Sequence, residues 1–168
     1  MADKKEVVKE KLQYKGLFDF ATLYSFSHSW FADKGYGVVE KKYNEKVEGN
    51  KRDTSIEWEI TKKISDYFRA DYTLKIEVSD MTEVEVEIDG ERKRMQKGEI
   101  SIEIKGVLVR DPESKWDESP FYRFLRDLYD KYIIPARIDE SESEVKERAI
   151  TFKEDLKALL EIWGRRPV

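Results

Sequence analysis

Phe68-Arg69-Ala70-Asp71-Tyr72-Thr73-Leu74-Lys75-Ile76-Glu77-Val78 is the stretch that decides the fold. Phe68, Ala70, Tyr72, Leu74, Ile76 and Val78 alternate with Arg69, Asp71, Thr73, Lys75 and Glu77. Successive side chains of a strand point to opposite faces, so this run predicts a strand dry on one side and wet on the other. The run before it repeats the pattern, with Ile56, Trp58, Ile60 and Ile64 set against Glu57, Glu59, Thr61 and Lys63. Two such neighbours predict an antiparallel sheet with one apolar face that must be covered.

Downstream, Val84, Val86 and Ile88 lead into Asp89-Gly90, a hairpin signal. Ile100, Ile102, Ile104 and Leu108 follow as a further strand, with Gly106 marking a bulge or a close approach. Upstream, Val8 to Lys15 reads as a first strand and Gly37 to Val47 as another. Asn50 to Asp53 and Asp111 to Glu118 read as loops.

The cover comes from helical stretches. Asp19 caps a helix running to Lys34 and stopped by Gly35, with Phe20, Leu23, Tyr24, Ser27, Trp30 and Phe31 at helical spacing. Ser119 caps a second, with Pro120 in its first turn and a stripe of Phe121, Phe124, Leu125, Leu128, Tyr132 and Ile133. Pro135 ends or kinks it. In the last helix Val145, Ala149, Phe152, Leu156, Leu159 and Trp163 form a heptad-like seam, and Gly164 is its stop.

The expected fold is therefore α+β. An antiparallel sheet of five to six strands is covered on one face by helices, in the order β-α-β-β-β-β-β-α-α. One domain spans residues 1–168: a strand and helix over 7–34, the sheet over 37–110 and a helical pair over 119–164.

Composition narrows function. Cysteine is absent, which removes disulfides, thiolate nucleophiles and cysteine metal sites. A single histidine, His28, leaves only carboxylates for a hard cation, and the acidic residues of 111–118 do not match the calcium-loop pattern, so no metal is expected. Neither glycine-rich phosphate motif occurs, and no cofactor is expected. The dense basic patch Arg92-Lys93-Arg94 with Lys97 is flanked by Glu91 and Glu99, and the net charge is -4, so duplex nucleic acid is not an expected partner. No apolar run approaches the roughly 18 residues of a membrane span. The start carries no apolar targeting core, which points to a cytoplasmic protein.

Asparagine and glutamine number four (Gln13, Asn44, Asn50, Gln96) beside 32 basic and 36 acidic residues. That balance is a thermophile tendency; a mesophile with a charged surface or a designed chain is the alternative.

Phe20 to Ala32 holds thirteen residues without a charge. The segment is either a core anchor or a partner surface, and its stripe favours the core. Phe26 falls outside that stripe beside His28, so these two, with Trp163 on the last helix, are the candidate contacts for a protein partner or a second copy. A serine-flanked histidine without a local carboxylate is a poor catalytic base. Lys62 interrupts the row Trp58, Ile60, Ile64, and Glu10 interrupts Val8 and Leu12. Each either snorkels to water at the sheet margin or orients a ligand in an aromatic pocket. The pocket version assigns Trp30, Trp58, Lys62 and Tyr72 to an apolar small molecule.

Tyr14-Lys15-Gly16-Leu17-Phe18-Asp19-Phe20 and Ser119-Pro120-Phe121-Tyr122-Arg123-Phe124-Leu125-Arg126-Asp127 resemble an uncharacterised family of small archaeal proteins, a likeness that implies no activity. A curved antiparallel sheet gripped by a C-terminal helix resembles the helix-grip fold of the START and plant-allergen superfamily, which implies binding of apolar ligands. The chain departs from it in having one helix after the first strand and a C-terminal region divided at Pro135. Three readings follow: a non-enzymatic binding or assembly domain with an apolar helix surface, an apolar-ligand binder, and an enzyme built on carboxylates and lysine.

Overall fold

The computed structural model describes residues 3–110, 119–132 and 135–164. The fold is α+β: one antiparallel sheet of five strands and three helices. In chain order they are β1 (Asp3–Phe18), α1 (Phe20–Ala32), β2 (Gly37–Glu48), β3 (Lys51–Lys63), β4 (Phe68–Ile88), β5 (Glu91–Arg110), α2 (Pro120–Tyr132) and α3 (Pro135–Gly164). The strands lie in the order β1-β5-β4-β3-β2. The loop expected at Asn50–Asp53 is shorter, because β3 has already begun at Lys51, and the loop expected at 111–118 lies outside the described residues.

The strand count corrects the upper end of the expected range. Segments 68–78 and 84–88 are not two strands but the two halves of β4, joined through a bulge between Ser79 and Thr82. Asp80 takes a left-handed φ of 54° there, and its N–H donates to Asp53 Oδ1 at 2.9 Å. A bulge puts one extra residue in one strand and re-aims everything beyond it. Val78 pairs with Ile100 but Val84 pairs with Met95, an odd number of residues further along an unbroken β5. Val84, Val86 and Ile88 therefore lie on the face opposite to Val78. Period-two alternation cannot reveal such a switch, because the apolar residues keep even numbers through it.

The covered face carries the core. Ile56, Trp58, Ile60, Ala70, Tyr72, Leu74, Ile76, Val78, Ile100, Ile102 and Ile104 are buried under α1 and α3. Along α3, Val145, Ala149, Phe152, Leu156, Leu160 and Trp163 are buried. The last turn thus departs from the expected seam: Leu159 is half-buried and Leu160 takes its place. A straight helix at 3.6 residues per turn drifts off a 3.5 repeat, so the buried line rolls by one residue. The seam serves the sheet of its own chain.

Both expected helix caps form. Thr22 N–H donates to Asp19 Oδ1 at 3.4 Å, and Tyr122 N–H donates to Ser119 Oγ at 3.2 Å. The first N–H of α1 is satisfied from the sheet, because Phe20 N–H donates to Gln96 Oε1 at 2.8 Å. Gln96 is held by Glu83, and Glu83 by Arg52, which also pairs with Glu45 at 3.2 Å. Gly106 is a close approach: a Cβ there would lie 2.6 Å from Val8 Cγ1 and 2.9 Å from Val145 Cγ1.

Candidate functional site

The four residues assigned to a ligand pocket are packed against one another or against neighbouring rings. Trp58 is 1% exposed, with its ring edge-on to Tyr24 at 5.0 Å and to His28 at 5.8 Å. Its Nε1–H donates to Glu40 Oε1 at 3.3 Å, and the Tyr24 hydroxyl donates to the same oxygen at 2.9 Å. One carboxylate on β2 thereby joins α1 to β3. The Tyr24 hydroxyl is raised above its usual pKa, first by burial and then by Glu40.

Trp30 packs on Phe31 and Phe152 at 4.8 and 5.2 Å and donates from Nε1 to Asp155 Oδ2 at 2.8 Å. Lys34 Nζ stands 3.8 Å from the centre of its ring. Tyr72 donates its hydroxyl proton to Val145 O at 2.8 Å, and burial drives its pKa strongly upward. Lys62 Nζ donates to Lys34 O at 2.8 Å, near the end of α1, and lies 5.1 Å from the Tyr36 ring. Tyr36 also touches Tyr72 at 5.8 Å, so Lys62 and Tyr72 meet on either side of it, while Trp58 stands apart with Tyr24 and His28.

The two interrupting charges have partners rather than open water. Lys62 holds a carbonyl after α1, where a cation complements the helix dipole. Glu10 pairs with Lys153 of α3 at 3.1 Å, across the helix–sheet seam. The gap beneath, lined by Glu10, Leu12, Ile102, Ile104, Phe152 and Leu156, has no room for a water molecule.

Of the three partner candidates, His28 is exposed, Phe26 is half-buried in a shallow depression with Ala21, Thr22, Ser25 and Ser29, and Trp163 is buried. Elsewhere an open groove of about 410 Å³ crosses the uncovered sheet face. It follows a row in register, Gln13, Ser101 and Glu77, in which the short Ser101 side chain lies between two longer ones. Among the described residues, no three His, Asp or Glu side chains converge to hold a metal ion. None of the described helices is long and apolar enough to cross a membrane.

Among the described residues, the largest concentration of exposed apolar side chains is on α2. Phe121 is 65% exposed, Phe124 59%, Tyr122 46% and Leu128 38%, while Leu125 is half-buried. Positions 121, 124, 125 and 128 follow the i, i+3, i+4, i+7 spacing of an amphipathic face. The same stripe was expected to cover the sheet. The thirty residues of α3, with six buried apolar positions among the described residues, already meet that need. Only this redundancy, one apolar sheet face against two C-terminal stripes, signals the outcome in the sequence.

Comparison with known proteins found no family, no relative and no solved structure that matches this chain.

Proposed function

We propose that the protein works by binding rather than by catalysis, and that it docks a protein partner through the apolar face of α2. The observation that carries this is the exposure of Phe121, Phe124 and Leu128 along one helix stripe. Taking roughly 200 Å² for an aromatic side chain, the stripe with Tyr122 offers about 400 Å² of contact surface. Contiguous apolar patches of that size on soluble proteins commonly mark interaction sites. Native mass spectrometry of protein purified from its own host tests the reading. The wild type is expected to carry a stoichiometric partner that Phe124→Glu loses at unchanged thermal stability. A wild type that travels alone, or a partner retained by Phe124→Glu, would sink it.

The apolar-ligand reading has one support, the placement of a long C-terminal helix across an antiparallel sheet in the manner of the helix-grip fold. The closed seam between α3 and the sheet gives such a ligand no space there. The likeness to small archaeal proteins, a hot habitat and a cytoplasmic location complete the proposal. A hot habitat is supported by ion pairs such as Lys5–Glu142, Lys15–Glu99, Lys41–Glu59 and Lys153–Glu10. A thermal midpoint inside the ordinary range of about 45–65 °C would count against it.

A further inference from the structure

We propose that the uncovered face of the sheet binds a linear, neutral oligosaccharide, held in two like subsites on either side of Glu77.

Register builds the site. Asn44, Ser55, Glu77, Ser101 and Gln13 stand side by side, one from each strand in the order β2, β3, β4, β5, β1. Their chemistry reads the same from either end: carboxamide, hydroxyl, carboxylate, hydroxyl, carboxamide. Two residues along each strand the mirror pattern returns. Lys46 stands opposite Asp53 on one side, Lys15 stands opposite Glu99 on the other, and Ser79 of β4 lies between. The groove of about 410 Å³ lies over the Gln13 half, and a second depression of about 290 Å³ lies over the Asn44 half. Glu77 and Ser79 line both.

The first row has no task within the fold. Among the described residues, none of its five side chains has a hydrogen-bond or ion-pair partner. The chain holds only four carboxamides, and the other two are employed structurally: Gln96 receives the first N–H of α1, and Asn50 sits in the turn between β2 and β3. The remaining two stand at the ends of this single row.

Chemistry selects the ligand. Two like subsites ask for a ligand with a repeating unit. Carboxamides, hydroxyls and a carboxylate supply both donors and acceptors, which suits vicinal hydroxyl groups. Lys15 and Lys46 against Asp53, Glu77 and Glu99 give no cationic surface for a polyphosphate. Tyr14, Ile100 and Val78 also border the depressions, but register assigns them to the covered face, so the subsites are polar. With neighbouring strands about 4.8 Å apart, Ser55 and Ser101 lie about 10 Å apart and the whole row runs about 19 Å, room for several sugar rings. Open to water and without a ring to stack on, the site binds with a dissociation constant of about 1 mM.

Amide NMR titration of the full chain with linear tetrasaccharides of glucose and of N-acetylglucosamine tests this. One of the two is expected to shift Ser55 and Ser101 together. Free glucose should bind at least tenfold more weakly, because it holds one subsite at a time. Glu77→Ala should weaken the tetrasaccharide at least tenfold. Ser101→Arg should reduce it to the strength of glucose and leave shifts at Ser55 alone. No shift at either serine with both tetrasaccharides up to about 20 mM would overturn the proposal. So would binding unaffected by Glu77→Ala and Ser101→Arg. Spermine or polyphosphate moving the same amides more strongly than either sugar would make this a charge site and overturn it as well. Equal thermal midpoints of wild type and variants confirm that the fold is intact.

Discussion

Helices α1 and α2 are each thirteen residues long and present aromatic stripes at the same spacing, yet one stripe is buried and the other lies at the surface. Within α1, Leu23, Ser27, Trp30 and Phe31 are buried, and the helix is tied to its surroundings through Gln96, Glu40 and Asp155. Those three ties reach β5, β2 and α3, so α1 is fixed from three directions. In α2 Phe121, Phe124 and Leu128 look outward, and Arg123, Arg126, Asp127, Asp130 and Lys131 are interspersed with them along the helix. Amphipathicity states that a helix has a face to hide; the supply of unfilled apolar surface elsewhere decides where that face goes. The sheet had one face to cover, and α1 with α3 covered it.

The contrast breaks most visibly if truncation costs are equal. Trp30→Ala should cost about 3–5 kcal/mol in urea unfolding, the range for deleting a buried large aromatic. A loss below about 1 kcal/mol would mean that α1 is not an anchor. Asp155→Ala should cost about 1–3 kcal/mol, because it leaves the buried Trp30 Nε1–H without its acceptor. Equal stability of this variant and the wild type would show that the tie between α1 and α3 is dispensable.

Tyr72, which the α1 residue Phe31 contacts at 5.7 Å, sharpens the picture through pH. Its hydroxyl is pushed above the ordinary value of 10.0 by burial. Above that value the unfolded chain releases this proton while the folded chain keeps it, so the folded state binds more protons and stability falls as pH rises. The contribution is complete below pH 10 and declines above it. Tyr72→Phe should cost about 1 kcal/mol at neutral pH through the lost bond to Val145 O and should flatten the alkaline decline. An unchanged alkaline slope would assign the decline to other groups. At the small end, Phe124→Ala should change stability by less than about 0.5 kcal/mol, as surface substitutions do. A cost comparable to that of Trp30→Ala would place α2 in the core and remove the docking surface.

Much of this arrangement is legible in the chain. Strict alternation in 56–60 and 68–78 identifies the sheet, its wet face and its buried face, and Asp19, Gly35, Ser119 and Pro120 mark helix ends through local hydrogen bonding and backbone geometry. What escapes are events set by the third dimension. The unity of β4 depends on a bulge held by Asp53, a residue twenty-seven positions away. The pairing of Glu10 with Lys153 joins opposite ends of the chain, so Glu10 reads alone as an uncompensated charge. The candidate site is less legible than the fold. Trp30, Trp58 and Tyr72 have the composition of a pocket and the packing of a core, while the exposed stripe of α2 has the pattern of a core helix.

The bulge at Asp80 also works as a frame setter, in the sense in which a coding message has a frame. It decides which half of the alternating code beyond residue 81 is presented to each side. Deleting Asp80 would shift that frame by one. Glu83, Glu85 and Glu87 would exchange sides with Val84, Val86 and Ile88, and Arg52 and Gln96 would lose Glu83. The α1 N-terminus, which depends on Gln96, would feel a change made in another element. A one-residue deletion in this hairpin should therefore be far more damaging than most substitutions in it, although no atom of the buried core is removed.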